Sequence, residues 1–206
     1  MIISRKVWVL MSSAILVFTS AQAAEPVRIG ATVSETGHFA TEVGPFRDLL
    51  EAWAEDVNER GGLRVGAERR PLEVTVYDDR SDEASARRMY ERLVVVNRAH
   101  LLFGPYSSPL TFAASTAAEA HGIPFVAICA NAPGIYSRGY QWIACVIDEA
   151  PKYTYRYWDM LRSEAQARTV GIMVEDTLHP RGVHRGAKTL AEAAGLGVVA
   201  ERIAPP

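Results

Sequence analysis

Two neighbouring serines, Ser107 and Ser108, stand where a short apolar run, Leu101-Leu102-Phe103, breaks at Gly104-Pro105-Tyr106 and a helical pattern begins. Ser108 suits the N-cap and Pro109 the first helical position, where a missing N–H costs nothing. A helix built of small residues follows to about Ala120, and His121-Gly122 stops it. Unpaired N–H groups and the helix dipole at such a start favour an anion, a carboxylate above all. Nucleophilic catalysis is a poor fit, because the serines lie in no G-x-S-x-G elbow and have no sequence-local base. A second set, Cys129-Ala130-Asn131, follows the apolar run Ile123–Ile128. Tyr106 and Phe39 sit on loops that face the same site.

Other chemistry-bearing residues carry less. Asp78, Asp79 and Asp82 lack the alternating ligands and glycine of a calcium loop. They read as a helix cap from Asp82 or Ser81, with the other carboxylates facing water. His179 and His184 are five apart, not the i, i+4 of a metal-binding helix face, and read as surface residues. A Cys129–His121 thiol pair has no local signature. Phe39, Tyr106 and Trp142 are each read first as core. With no P-loop and no G-x-G-x-x-G, no nucleotide, metal or other cofactor is expected.

The positioning elements follow from periodicity. Val27–Thr32 is a first strand, with Ser34–His38 a polar loop at its carboxyl end. Phe46, Leu49, Leu50, Trp53, Ala54 and Val57 mark one face of a helix that Gly61-Gly62 ends. A loop with Arg69-Arg70-Pro71 leads to an alternating strand, Leu72–Tyr77. A helix with Ala86, Met89, Tyr90, Leu93 and Val94 inside comes next, then the serine-bearing unit. Strands alternating with helices and no hairpin signals imply an α/β fold, a Rossmann-like parallel sheet with flanking helices. In such sheets ligands sit at the carboxyl ends of the strands. After an irregular loop, 132–141, a strand Trp142–Ile147 is followed by a helix from Lys152 to about Ser163. A fresh β-α-β unit then comprises Thr169–Val174, Gly182–Ala194 and Val198–Ile203. Two strands do not make an independent layered core, so this second unit reads as incomplete.

Length allows one large or two small domains: the chain has 206 residues, 49% of them hydrophobic, and a formal charge of −2. That balance leaves no electrostatic footprint for nucleic acid. Arg5 and Lys6, the apolar run Val7–Phe18 and Ala21-Gln22-Ala23 form a secretory signal peptide over 1–23, with no cysteine after the cut to carry a lipid. Export makes Cys129 and Cys145 possible disulfide partners; two free, buried thiols fit the sequence equally.

Taken in order, several segments resemble the type 1 periplasmic substrate-binding proteins of branched-chain amino acid and amide ABC transporters, the leucine/isoleucine/valine-binding family. They are the first strand with Thr36-Gly37, Asn58-Glu59-Arg60-Gly61-Gly62-Leu63, Tyr77-Asp78-Asp79, Phe103–Ser108, Ile123-Pro124, Ala130-Asn131-Ala132-Pro133 and Arg138-Gly139-Tyr140. The resemblance implies a non-enzymatic, periplasmic protein that closes two lobes on a small amino acid, amide or carboxylate and delivers it to a membrane permease. It implies lobe 1 over 25–147, and a hinge plus the incomplete start of lobe 2 over 148–206. Ser108 stands where the family's serine binds the ligand carboxylate, and Asn131 where a threonine touches ligand. The family's lobe 2 aromatic residue is replaced by Arg181, and its acidic residue for the ammonium group lies in a part of lobe 2 beyond this chain. A sensor domain of the same fold is the alternative, and an α/β hydrolase a more distant one.

Overall fold

The computed structural model describes residues 24–205; the expected signal peptide lies outside the described residues. In chain order the elements are β1 (Val27–Val33), α1 (Ala40–Val43), α2 (Phe46–Glu59), β2 (Leu63–Val65), β3 (Glu68–Arg70), β4 (Leu72–Asp78), α3 (Glu83–Val95), β5 (Leu101–Phe103) and α4 (Ser108–His121). Next are β6 (Phe125–Ala127), α5 (Pro133–Tyr136), β7 (Ile143–Cys145), a 3-10 turn (Ala150–Lys152), α6 (Tyr155–Ser163), β8 (Thr169–Glu175), α7 (Leu178–Ala193) and β9 (Gly197–Ala204).

Five strands form one parallel sheet in the order β4-β1-β5-β6-β7. β1 is buried from Ile29 through Val33, as a strand with neighbours on both edges and both faces must be. The i, i+4, i+7 spacing of Leu50, Ala54 and Val57 lays α2 on one face, against Ile29, Ala31, Leu72 and Val76. On the other face α3 and α4 bring Tyr90, Leu93, Ala114, Ala117 and Ala118 against Leu102, Phe125 and Ala127. The small residues of α4 let it lie close to the sheet. It ends on Gly122, whose φ of 66° is the left-handed cap that glycine adopts without penalty.

The remaining elements build a second α/β unit. β8 and β9 pair in parallel, and α7 covers one side of them with Ile172, Ala187, Ala191, Leu196 and Trp158 of α6 as its core. The other side is bare: Met173 is 74% and Val199 69% exposed. α7 meets the first unit and the 3-10 turn that follows it through glycines. A Cβ at Gly186 would lie 1.9 Å from the carbonyl oxygen of Pro151, and one at Gly182 would lie 3.0 Å from Pro133 Cδ.

Several expectations need correction. The segment Leu63–Arg70 is an antiparallel hairpin, β2–β3, turning at Gly66 with φ 62°; three-residue strands rich in arginine carry no period-2 signal. α7 begins at Leu178 rather than Gly182, because Pro180 sits in its first turn, where no intrahelical N–H is required. The loop after β6 includes one helical turn, α5, and Trp142 is largely exposed across the Gly122 turn rather than in the core.

Gly186→Ala should therefore lower unfolding free energy by about 2–3 kcal/mol, since the backbone of Pro151 has no rotamer with which to yield. Urea unfolding measures this, and an unchanged midpoint would mean that α7 does not rest on Pro151.

Candidate functional site

The carboxyl edge of the sheet is held by two neighbouring aspartates with different tasks. Asp79, expected to face water, is fully buried. It accepts hydrogen bonds from Thr32 Oγ1 at 2.6 Å, from the Ser34 hydroxyl and from Ser81 N at 3.0 Å. Three donors compensate the desolvation of its carboxylate and tie the end of β1 to the start of α3. Asp78 holds the next loop, accepting from Thr36 Oγ1 at 2.7 Å and from the N–H groups of Glu35, Thr36 and Arg80. Partial burial pushes its carboxyl up, but those four donors outweigh this and hold it below the usual carboxylate range. Asp82 caps α3 as expected, accepting from Ser85 N at 2.7 Å.

The cap of α4 lies one residue earlier than expected. Ser107, not Ser108, is the N-cap, its Oγ accepting from Leu110 N at 3.4 Å. Its backbone takes φ 81°, ψ 147°, a conformation that residues other than glycine seldom hold. Ser108 is then the first helical residue, 2% exposed, where a backbone N–H has no carbonyl one turn back within the helix. Tyr106, just before, meets Phe39 edge to face, with ring centroids 5.3 Å apart. Tyr106 and Cys129 line a cleft of about 150 Å³ with Thr32, Val33, Val43, Phe46 and Ile128, and Glu42 stands at the same cleft. Its walls are mostly apolar, and it opens between the carboxyl ends of β1, β5 and β6.

The loop after β6 is divided in purpose. Cys129 reaches solvent, and it and Cys145 are free thiols, so Cys129 is not the buried sulfur expected of a free cysteine. The protein around its sulfur pushes the thiol above its ordinary value, which keeps it protonated rather than nucleophilic at neutral pH. Ala130 is buried with Ala132 and Ile135, and its carbonyl accepts from the Tyr136 hydroxyl. Asn131 is 1% exposed with both polar atoms of its side chain engaged: Nδ2 donates to Asp148 O, and Oδ1 lies 2.8 Å from His179 Nδ1. Its place is thus beneath the surface, away from the cleft that Tyr106 and Cys129 share. His179 and His184 are not plain surface residues. Burial lowers the pKa of His179, and the half-buried His184 ring lies 3.0 Å from Glu201 Oε2. Arg181, which replaces the expected aromatic residue, is paired with Asp176.

A parallel α/β lobe with a cleft at its carboxyl edge, joined to a second α/β unit, is the architecture of a type 1 periplasmic binding protein. Over residues 26–206 the chain matches the family model described as periplasmic binding protein, and it belongs to that family. It is 29% identical over 191 residues to Leu/Ile/Val-binding protein homolog 8 of Brucella abortus, covering 89% of this chain and 46% of the relative. It is 24% identical over 203 residues to homolog 7 of Brucella suis, covering 95% and 50%. The chain thus spans about half the length of these relatives. Its fold is similar to that of the branched-chain amino acid transporter substrate binding protein LivJ from Streptococcus pneumoniae, solved with isoleucine: TM-score 0.75, 19% identity, 87% of this chain and 50% of that one. It is also similar to an ABC transporter solute binding protein from Rhodopseudomonas palustris solved with 3,4-dihydroxy benzoic acid: TM-score 0.73, 19% identity, 87% and 47%.

Asp79→Ala should cost about 3 kcal/mol in urea unfolding, since it strands three donors, all of them in buried residues. Asp78 predicts an acid limb. Its folded pKa is depressed, so its stabilisation is present above the unfolded value and is lost as pH falls through the folded one. Unfolding free energy should therefore drop below about pH 4, and Asp78→Asn should flatten that drop; equal slopes in both proteins would assign the acid limb to other carboxylates.

Proposed function

We propose that this is a non-enzymatic, exported solute-binding protein that holds a small carboxylate-bearing ligand, an amino acid, amide or related acid, for a membrane permease of an ABC transporter. The observation that carries the reading is the apolar-walled cleft of about 150 Å³ beside the start of α4. The apolar lining suits a compact apolar body, and the adjoining helix start suits an anionic head. Ser107 and Ser108 would face the carboxylate with the N–H groups of the first turn, Tyr106 and Cys129 would line the apolar part, and Phe39 would back Tyr106 edge to face. Isoleucine and 3,4-dihydroxy benzoic acid, carried by the two similar solved proteins, share that plan of a carboxylate on an apolar body. On this reading residues 25–147 are lobe 1, residues 148–206 are the hinge and the first part of lobe 2, and residues 1–23 direct export to the periplasm. The same fold could serve a membrane sensor, for which a transmembrane or kinase segment on the same gene would be the sign.

A thermal-shift series with isoleucine, leucine, 4-hydroxybenzoate and acetamide tests the proposal. A true ligand at a hundred times its Kd adds about 2.7 kcal/mol to the folded state, so the melting temperature should rise for at least one carboxylate. Cys129→Phe, which fills the cleft from a solvent-reaching position, should abolish the rise and leave the circular dichroism spectrum unchanged. No shift from any of the four, or a shift that survives Cys129→Phe, would remove this cleft from the reading.

A further inference from the structure

Asn131 sits at the junction of three segments distant in sequence. Its backbone carbonyl accepts from Ala150 N at 3.2 Å, which anchors the 3-10 turn that leads out of the first unit. Its side-chain Nδ2 donates to Asp148 O in the same crossover, and its Oδ1 meets His179 Nδ1, in the first turn of α7, at 2.8 Å. The partners fix the chemistry. Asp148 O can only accept, so the amide nitrogen must face it and the amide oxygen must face His179. His179 therefore carries its proton on Nδ1 and donates to Asn131. The histidine ring is also flanked edge-on by Tyr153, with centroids 5.4 Å apart, and the side chain is half buried.

We propose that the Asn131–His179 hydrogen bond is a latch that sets the angle between the two α/β units. Around it the contact is built of apolar and small residues: Leu178 against Ala130, Ala132 and Ile135, and Gly182 of α7 against Pro133 and Ala150. Close-packed small residues hold distance but not rotation, whereas a buried directional bond from the helix's first turn fixes rotation as well. With the latch closed, α7 and the β8–β9 pair stay seated on the crossover. With it open, they are free to turn about Asp148–Ala150, the short connection that the same asparagine anchors. His179 is thus a positioning residue for the second unit. The latch stands apart from the cleft beside Tyr106, so its failure would leave the solute-binding reading untouched.

Hydrogen–deuterium exchange followed by mass spectrometry tests the latch in the intact chain. His179→Leu removes the donor but keeps an apolar side chain beside Tyr153. Exchange in the first two turns of α7 and in the loop 130–135 should rise about fivefold, the factor that one lost hydrogen bond supplies. Exchange in β1, β4 and β5 should not change, which separates unlatching from general loss of fold. His179→Asn places a side-chain N–H near the position of Nδ1 and should restore slow exchange. Exchange in His179→Leu equal to that of the parent, or no recovery in His179→Asn, would overturn the proposal.

Discussion

The buried carboxylate of Asp79 is the constraint on which the working edge of this protein depends. A parallel sheet leaves the carboxyl ends of its strands as separate loops, and the backbone ladder between β4 and β1 ends with Asp79 N donating to Val33 O at 3.2 Å. The Asp79 side chain ties the loops beyond it by gathering Thr32, Ser34 and Ser81 N around one charge. That knot fixes where β1 stops and where α3 starts. It also frees Asp78 to organise Glu35, Thr36 and Arg80 just outside. Because Thr32 and Val33 form part of the cleft wall, this polar knot holds one side of the cleft, while the apolar cluster of Val33, Val43 and Phe46 shapes another.

The strain at Ser107 belongs to the same picture. To cap α4 and let Pro109 follow Ser108, the backbone adopts a positive φ that serine rarely takes. The capping bond and the packing of α4 on the sheet together hold that conformation. The cleft therefore lies between two rigid features, a charged knot on one side and a constrained helix start on the other. That arrangement suits a site that recognises shape with little reorganisation.

Much of the architecture was legible in the sequence because it depends on local period. β1, β4, α2 and α3 follow from alternation or from i, i+4 spacing, and the parallel order follows from helices between strands. What was hidden depends on partners far along the chain. Asp79 looks like any loop aspartate until Thr32 and Ser34, more than forty residues earlier, are seen to converge on it. His179 looks like a surface residue until Asn131 is found against it, forty-eight residues away. The capping shift from Ser108 to Ser107 is a single residue, set by a backbone angle that side-chain type does not announce. The hairpin β2–β3 was missed because its strands are too short and too charged to show a period. At the site, Tyr106, Phe39 and Cys129 were placed near one another by loop position alone, whereas the burial of Asn131 could be read only in three dimensions.

The bare side of the β8–β9 pair carries a consequence for handling the protein. A two-stranded parallel ribbon with Met173 and Val199 turned outward presents an apolar tile to the solvent, with Arg202 paired beside Met173. Such a tile is indifferent to ionic strength at the millimolar level but responds to excluded cosolutes such as ammonium sulfate, which raise the cost of wetting it. Salting-out by such cosolutes therefore draws a contribution from this ribbon that the formal charge of −2 does not set.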